Sequence, residues 1–217
     1  MKRVLIYGDS NTWGYTPLTG VRYDENTRWP KVVAKQLGDE YEIIENGVSG
    51  RTTVYDLPWN DSLNGMKGLG TALLASMPLD LVVIKLGIND LVAHDKAMYS
   101  QHGIDKLVNM CLDAKNLYGI RYDYMYPTPK VLIVVPVPLN ENIDELPESF
   151  YSGKYEESLK YYDLYKVVAD KYNVDILDAK QYAKASTVDG LHLTEEGHVS
   201  LGIAVANKIK EMFKYKD

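Results

Sequence analysis

The chain has 217 residues, a net charge of −6 and 46% hydrophobic residues. These values fit one domain spanning residues 1–217 with a sizeable core, and they exclude a globally disordered chain. No dense run of Lys and Arg occurs, which argues against nucleic acid as a partner. The one cysteine, Cys111, excludes an intramolecular disulfide and favours a reducing compartment.

Neither a signal peptide nor a membrane span is visible in the sequence. The apolar run at residues 4–7 stops too early, at Gly8 and Asp9, to be a signal peptide. No stretch approaches the roughly 18 apolar residues that a membrane span needs. We therefore expect a cytoplasmic protein with no membrane partner. The 18 tyrosines against two phenylalanines favour surfaces that become interfaces, and so a homo-oligomer.

Five apolar runs of strand length alternate with helical patterns along the chain. The runs are rich in Val, Ile and Leu, which is typical of strands buried on both faces. Strands are predicted at 2–7, 41–45, 79–86, 130–137 and 174–177, and helices at 29–37, 65–76, 103–118, 155–172 and 194–214. Thr194 before two glutamates predicts the N-cap of the last helix. The alternation predicts a flavodoxin-like three-layer α/β/α sandwich around a central five-stranded parallel sheet.

Three loops stand out by length or composition. They cover residues 12–28, the tyrosine-rich segment 121–128 and the acidic segment 138–153. Long loops within a compact domain are more often functional or interfacial than idle, which favours one of these two roles for each loop.

Small and polar residues follow each of the first three predicted strands. The three segments are Gly8-Asp9-Ser10-Asn11, residues 46–50 with Gly47, and Gly87-Ile88-Asn89-Asp90. In a parallel sheet they meet at the carboxyl edge, where ligands bind. Glycine lets backbone N–H groups approach a ligand, and asparagine offers an uncharged amide donor. The segments therefore contain the components of an oxyanion hole.

A second informative stretch, Asp189-Gly190-Leu191-His192, lies about 25 residues from the C-terminus. The three-residue spacing lets one turn hold the Asp189 carboxylate against the His192 imidazole. With Ser10 after the first strand, these residues form the parts of a charge-oriented nucleophile. Ser10 alone would better fit a helix cap, and His192 alone a structural histidine. The blocks together favour a hydrolase.

The four blocks, in this order, resemble the SGNH (GDSL-type) hydrolase superfamily. The resemblance implies that Ser10 is the nucleophile, that His192 is the general base and that Asp189 orients it. It also implies an oxyanion hole made of the backbone N–H groups of Ser10 and Gly47 and the Asn89 side chain.

The sequence is most similar to the arylesterase/acyltransferase (perhydrolase-like) branch of that superfamily. Asn11 stands where the commonest motif has Leu. Relatives in this branch transfer acyl groups to alcohols and form homo-oligomers, so the resemblance implies both properties here. The motifs that carry the similarity are Gly-Asp-Ser-x-Thr-Trp-Gly at 8–14, Arg-Trp at 28–29, Gly-x-Ser-x-Arg-Thr-Thr at 47–53, Leu-Asn-Gly at 63–65 and Pro-Leu-Asp-Leu-Val at 78–82.

Five residues beside these blocks are predicted substrate contacts: Asp9, Asn11, Trp13, Arg51 and Leu191. For three of them a structural reading stays open. Asp9 could support the turn, Trp13 could be a core anchor, and Arg51 could tie down the oxyanion loop. The four histidines form no His-x-x-x-His pair, so neither a metal nor a cofactor is expected.

The sequence as a whole predicts a serine esterase that hydrolyses short-chain, acetyl-type esters of small molecules through an acyl-enzyme, with acyl transfer to alcohols left open. Alternatives with the same triad are a carbohydrate O-acetyl esterase and an acyl-CoA thioesterase. An alternative from another class is a non-catalytic flavodoxin-like binding module.

Overall fold

The structure, a computed structural model, describes residues 1–113, 127–147 and 149–214. Residues 121–126 of the tyrosine-rich loop and the end of the predicted third helix, 114–118, lie outside the described residues. Of the helices described, none is both long and apolar enough to cross a membrane.

Five parallel strands form the central sheet, in the order β2-β1-β3-β4-β5. This is the flavodoxin-like strand order, and it confirms the predicted fold class. Gly8, at the end of β1, is in register with Gly47 of β2 and with Lys85 of β3, so the first three strands end at one edge. The strands are β1 Lys2–Gly8, β2 Tyr41–Gly47, β3 Leu81–Lys85, β4 Lys130–Val135 and β5 Asp175–Asp178.

Helices cover both faces of the sheet and bury alternating strand residues. Val4 and Ile6 of β1 pack with α2 and α8, whereas Leu5 and Tyr7 pack with α3, α5 and α7. Burial on both faces explains the near-continuous apolar sequence of the central strands. The helices are α1 Ser10–Trp13, α2 Trp29–Leu37, α3 Gly65–Ser76, α4 Asp90–Ala93, α5 Ala97–Leu112, α6 Tyr155–Ser158, α7 Tyr161–Tyr172 and α8 Glu195–Lys214.

Two helices differ from their predicted bounds because of side-chain contacts. Helix α5 begins six residues before the predicted residue 103, because the Glu157 carboxylate accepts the Ala97 N–H at 3.0 Å. The predicted helix 155–172 is divided into α6 and α7. At the break, the Ser158 hydroxyl donates to the Tyr155 carbonyl at 2.6 Å and accepts the Leu139 N–H at 3.0 Å. Such side-chain bonds compete with helix continuation.

Helices α2 and α3 have the predicted bounds, and the remaining described boundaries shift by one or two residues. Strand β4 ends at Val135 rather than 137, because Pro136 has no N–H to continue the ladder. Strand β3 covers only 81–85 of the predicted 79–86. The cap predicted at Thr194 is confirmed, since its hydroxyl accepts the Gly197 N–H at 3.2 Å.

Candidate active site

Ser10 lies at the first position of α1, and only Asp9 separates it from the end of β1. The Asp9 side chain caps this helix by accepting the Asn11 N–H at 3.0 Å. The backbone N–H of Ser10, in the first turn of the helix, has no acceptor within that helix. The tight turn needs Gly8, because a Cβ there would lie 2.0 Å from the Thr12 hydroxyl and 2.9 Å from the Lys85 carbonyl. The Ser10 hydroxyl and backbone N–H are thus placed together at the carboxyl edge of the sheet.

The structure joins Ser10, His192 and Asp189 in one chain of hydrogen bonds. Ser10 Oγ lies 3.0 Å from His192 Nε2, and His192 Nδ1 lies 2.8 Å from Asp189 Oδ2. Asp189 Oδ1 accepts the backbone N–H groups of Leu191 at 3.1 Å and His192 at 3.0 Å. In this order, the carboxylate orients the imidazole and the imidazole can accept the serine proton.

The electrostatics of Asp189 suit a charged partner for the imidazole. Partial burial raises its pKa, but the hydrogen bonds from the His192 ring and the backbone outweigh this and hold the pKa below its usual value. Asp189 therefore stays a carboxylate near neutral pH.

The ring of Tyr15 stacks on the imidazole of His192. Its centroid lies 4.1 Å from that of His192, with 22° between the ring planes. Tyr15 lies in the loop 12–28, and the sequence alone does not indicate that its ring contacts His192. The stacking covers one face of the imidazole and restricts its rotation.

Asn11 holds the segment that carries His192. Its Oδ1 accepts the Leu193 N–H at 2.9 Å, and its Nδ2 donates to the Leu191 carbonyl at 3.4 Å. Both residues that flank His192 are therefore attached to the helix of Ser10. Asn11 is predicted as a substrate contact, but its amide is directed at the protein, and a positioning role fits this geometry better.

Gly47 lies in direct contact with the backbone of α1. A Cβ on Gly47 would lie 2.3 Å from the Trp13 nitrogen and 2.6 Å from the Thr12 carbonyl carbon. Only glycine allows the end of β2 to approach the Ser10 helix this closely.

The Asn89 side chain is buried and anchored at both ends of its amide. Its Nδ2 donates to the Arg51 carbonyl at 3.0 Å, and its Oδ1 accepts the Tyr151 hydroxyl at 2.7 Å. The neighbouring Asp90 accepts the N–H of Thr53 at 2.7 Å and its hydroxyl at 2.6 Å. Burial raises the pKa of Asp90 to about 7, although the Thr53 bonds oppose this. Asp90 thus holds the Asn89 loop in place.

The guanidinium of Arg51 links strand ends. It donates to the Gly8 carbonyl at 2.9 Å and to the Asn46 carbonyl at 2.6 Å, and its carbon lies 3.9 Å from the Tyr7 ring centroid. Burial lowers the Arg51 pKa, while Tyr7 and Asp9 act in the opposite direction. Of the two readings left open for Arg51, these contacts favour the one in which it ties down the oxyanion loop.

Asp9, Trp13 and Leu191 take three different positions. The Asp9 carboxylate is fully buried and lies 3.5 Å from Lys85 Nζ, which fits support of the turn. Trp13 is half-buried, and Arg22 lies 5.3 Å from its ring centroid. Leu191 lines a cavity beside His192. Of the five predicted substrate contacts, the structure thus brings Leu191 to the cavity and directs Asp9, Asn11 and Arg51 into protein contacts.

A cavity of about 330 Å³ lies beside His192. This volume suits a small ligand. Residues of the loop 138–153 supply much of its wall, which fits the expectation that this loop is functional or interfacial. The main lining residues are Tyr15, Leu146, Phe150, Tyr151, Leu191 and His192. Within the described parts of the chain, no group of three or more His, Cys, Asp or Glu side chains could hold a metal ion.

A Ser–His–Asp chain at the carboxyl edge of an open parallel sheet defines a serine hydrolase. The model of the GDSL-like lipase/acylhydrolase family matches residues 6–199. The chain belongs to this family and is a carboxylic ester hydrolase. A comparison with curated protein sequences finds no match.

Solved structures agree with this assignment. A carbohydrate acetylesterase from Sinorhizobium meliloti has 39% sequence identity and a TM-score of 0.90, over 98% of this chain and 100% of that chain. The aryl esterase of M. smegmatis has 34% identity and a TM-score of 0.89, over 98% of this chain and 100% of that one. A G-D-S-L lipolytic family member from Veillonella parvula, at 15% identity and a TM-score of 0.68 over 100% of both chains, shares the fold.

Proposed function

We propose that the protein is a serine esterase that hydrolyses short-chain, acetyl-type esters of small molecules through an acyl-enzyme. The observation that carries this proposal is the hydrogen-bond chain from Ser10 Oγ to His192 Nε2 at 3.0 Å and from His192 Nδ1 to Asp189 at 2.8 Å. The aryl and carbohydrate acetylesterases with similar structures support the substrate class.

The proposed mechanism begins when Ser10 Oγ attacks the acyl carbonyl and His192 Nε2 takes the hydroxyl proton. The tetrahedral oxyanion is bound by the N–H groups of Ser10 and Gly47 and by the Asn89 amide. His192 then returns the proton to the leaving alcohol, and the acyl group stays on Ser10. Water, activated by His192, releases the acid in the second half of the cycle. An alcohol in place of water gives acyl transfer.

A second candidate substrate class is O-acetylated carbohydrate. It is supported by the S. meliloti carbohydrate acetylesterase, which is 39% identical over 98% of this chain. Both candidates use the same triad, so they differ only in the alcohol that leaves.

The first test is hydrolysis of p-nitrophenyl acetate by the wild type, Ser10→Ala and Ser62→Ala. Ser62 is an exposed serine and serves as the matched control. We expect wild-type and Ser62→Ala rates to agree, and Ser10→Ala to fall to background. Turnover should decrease from acetate to butyrate to octanoate esters, and acetylated oligosaccharides test the second candidate. Equal rates for the wild type and Ser10→Ala would remove Ser10 as the nucleophile.

We also propose that the enzyme acts in the cytoplasm as a homo-oligomer. The buried free thiol of Cys111 and the 18 tyrosines are in keeping with this. Light scattering at micromolar concentration tests the assembly, and a monomeric mass would refute it.

A further inference from the structure

The hydroxyl of Tyr151 forms a hydrogen bond with the side chain of Asn89. It donates to Asn89 Oδ1 at 2.7 Å, across 62 positions of the sequence. Both residues are largely buried, with 9% and 5% of their surface exposed. Tyr151 belongs to the loop 138–153, for which the sequence offered no motif.

The contacts of Asn89 determine which way its amide points. The Arg51 carbonyl, 3.0 Å from one end, can only accept a hydrogen bond, so that end is the NH₂ group. The other end is therefore the oxygen, and the Tyr151 hydroxyl is its donor. With one N–H on Arg51, the amide keeps its second N–H for another acceptor.

The Tyr151 hydroxyl keeps its proton near neutral pH and so remains a hydrogen-bond donor. Burial raises its pKa well above the ordinary value, and the nearby carboxyl groups of Asp9, Asp90 and Asp189 raise it further. The phenol is therefore neutral and keeps its proton for Asn89.

Tyr151 also lies in the wall of the cavity beside His192. Its neighbour Phe150 is 69% exposed, and the ring centroid of Phe150 lies 5.9 Å from that of Trp59. Phe150 and Tyr151 thus both line the cavity, and the Tyr151 hydroxyl also binds Asn89. One segment therefore shapes the cavity and holds the amide.

We propose that Tyr151 is a positioning residue for the reaction, whose hydroxyl holds the Asn89 amide so that its free N–H faces the developing oxyanion. This inference rests on the proposed esterase function. A hydrogen bond to an amide oxygen also polarises the amide and strengthens its N–H as a donor. The contribution appears mainly in the transition state, when the carbonyl oxygen acquires charge.

The test compares Tyr151→Phe with Tyr172→Phe. Tyr172 is the control, since its hydroxyl donates to the Asp105 carboxylate at 2.5 Å, between helices α7 and α5. We expect Tyr151→Phe to lower kcat for p-nitrophenyl acetate about 5- to 30-fold with KM changed less than about 2-fold, which corresponds to roughly 1–2 kcal/mol of lost transition-state stabilisation. Tyr172→Phe also loses one hydroxyl hydrogen bond and should leave kcat nearly unchanged.

A double-mutant cycle with Asn89→Ala separates a positioning effect from general damage. If Tyr151 acts through Asn89, Tyr151→Phe lowers kcat less than about 2-fold in the Asn89→Ala background. Multiplying losses would overturn the inference, as would an unchanged kcat for Tyr151→Phe alone. If Tyr151→Phe does not fold, Tyr151→Leu, which also lacks the hydroxyl, takes its place in the same cycle. A wild type without Ser10-dependent turnover would instead reject the esterase proposal.

Discussion

Replacing Asn11 by leucine tests how the segment around His192 is held. Leucine has a similar size and is the residue of the commonest family motif, but it can neither accept the Leu193 N–H nor donate to the Leu191 carbonyl. In the structure those bonds are 2.9 Å and 3.4 Å long, and Asn11 is only 3% exposed. The substitution therefore leaves a backbone N–H without its acceptor at a buried position.

The magnitude follows from these contacts. A buried donor that loses its partner costs roughly 1–3 kcal/mol, and the longer bond adds little. We expect a loss of about 2 kcal/mol in the free energy of unfolding, or roughly 4–8 °C in melting temperature for a chain of this size. A shift of the His192 segment by ~1 Å can reduce turnover by up to about 100-fold. We therefore expect kcat/KM to fall about 10- to 100-fold.

The assay pairs urea unfolding with hydrolysis of p-nitrophenyl acetate. Asn207→Leu is the control, because Asn207 is an exposed residue of α8, and we expect it to change both quantities little. If Asn11→Leu matches the wild type in unfolding midpoint and in kcat/KM, the reasoning about Asn11 is refuted.

Two further predictions concern glycine packing and pH. Gly47→Ala should lower kcat at least about 10-fold and the free energy of unfolding by roughly 1–3 kcal/mol, because the new Cβ would lie 2.3 Å from the backbone of Trp13. The control Gly197→Ala, whose Cβ would have no neighbour closer than 3.5 Å, should change neither quantity. Equal kcat values for the two variants would contradict this reasoning. Burial, aided by the charges of Lys85 and His192, lowers the pKa of His198 from 6.5 to about 3. Below pH 6.5 the unfolded chain therefore binds a proton that the folded protein does not, and stability should fall by an amount on the order of 4 kcal/mol towards pH 3. Urea unfolding at pH 4 to 7 measures this effect. The free energy of unfolding should depend less on pH in His198→Asn, whose amide oxygen can still accept the Trp29 N–H, than in the wild type. The same pH dependence in both proteins would refute the role given to His198.

The parts of the site that follow strands could be predicted from the sequence. Gly47 ends β2, Ser10 lies two residues after the end of β1 and Asn89 four residues after the end of β3, so the parallel sheet brings all three to one edge. Asp189 and His192 are close in the chain, and their contact is a local turn.

Contacts made by side chains from distant loops could not be predicted. The 62-residue separation of Tyr151 from Asn89 and the 60-residue separation of Glu157 from Ala97 leave no periodic pattern. Both depend on how loops cross the sheet edge, which is decided by tertiary packing. For the same reason the sequence predicts a substrate contact for Asn11, since a single polar residue next to a serine does not reveal its partner 182 positions away.

The bond between Asn11 and Leu193 joins the first helix to a segment close to the C-terminus. During synthesis, β1 and α1 emerge long before Asp189 and His192, so Ser10 has no partner for its proton until these two residues have also left the ribosome. Such long-range pairing also slows folding, because distant segments must meet before the bond forms. Recovery of ester turnover after dilution from urea would therefore report the closure of the whole sheet rather than the formation of any one element.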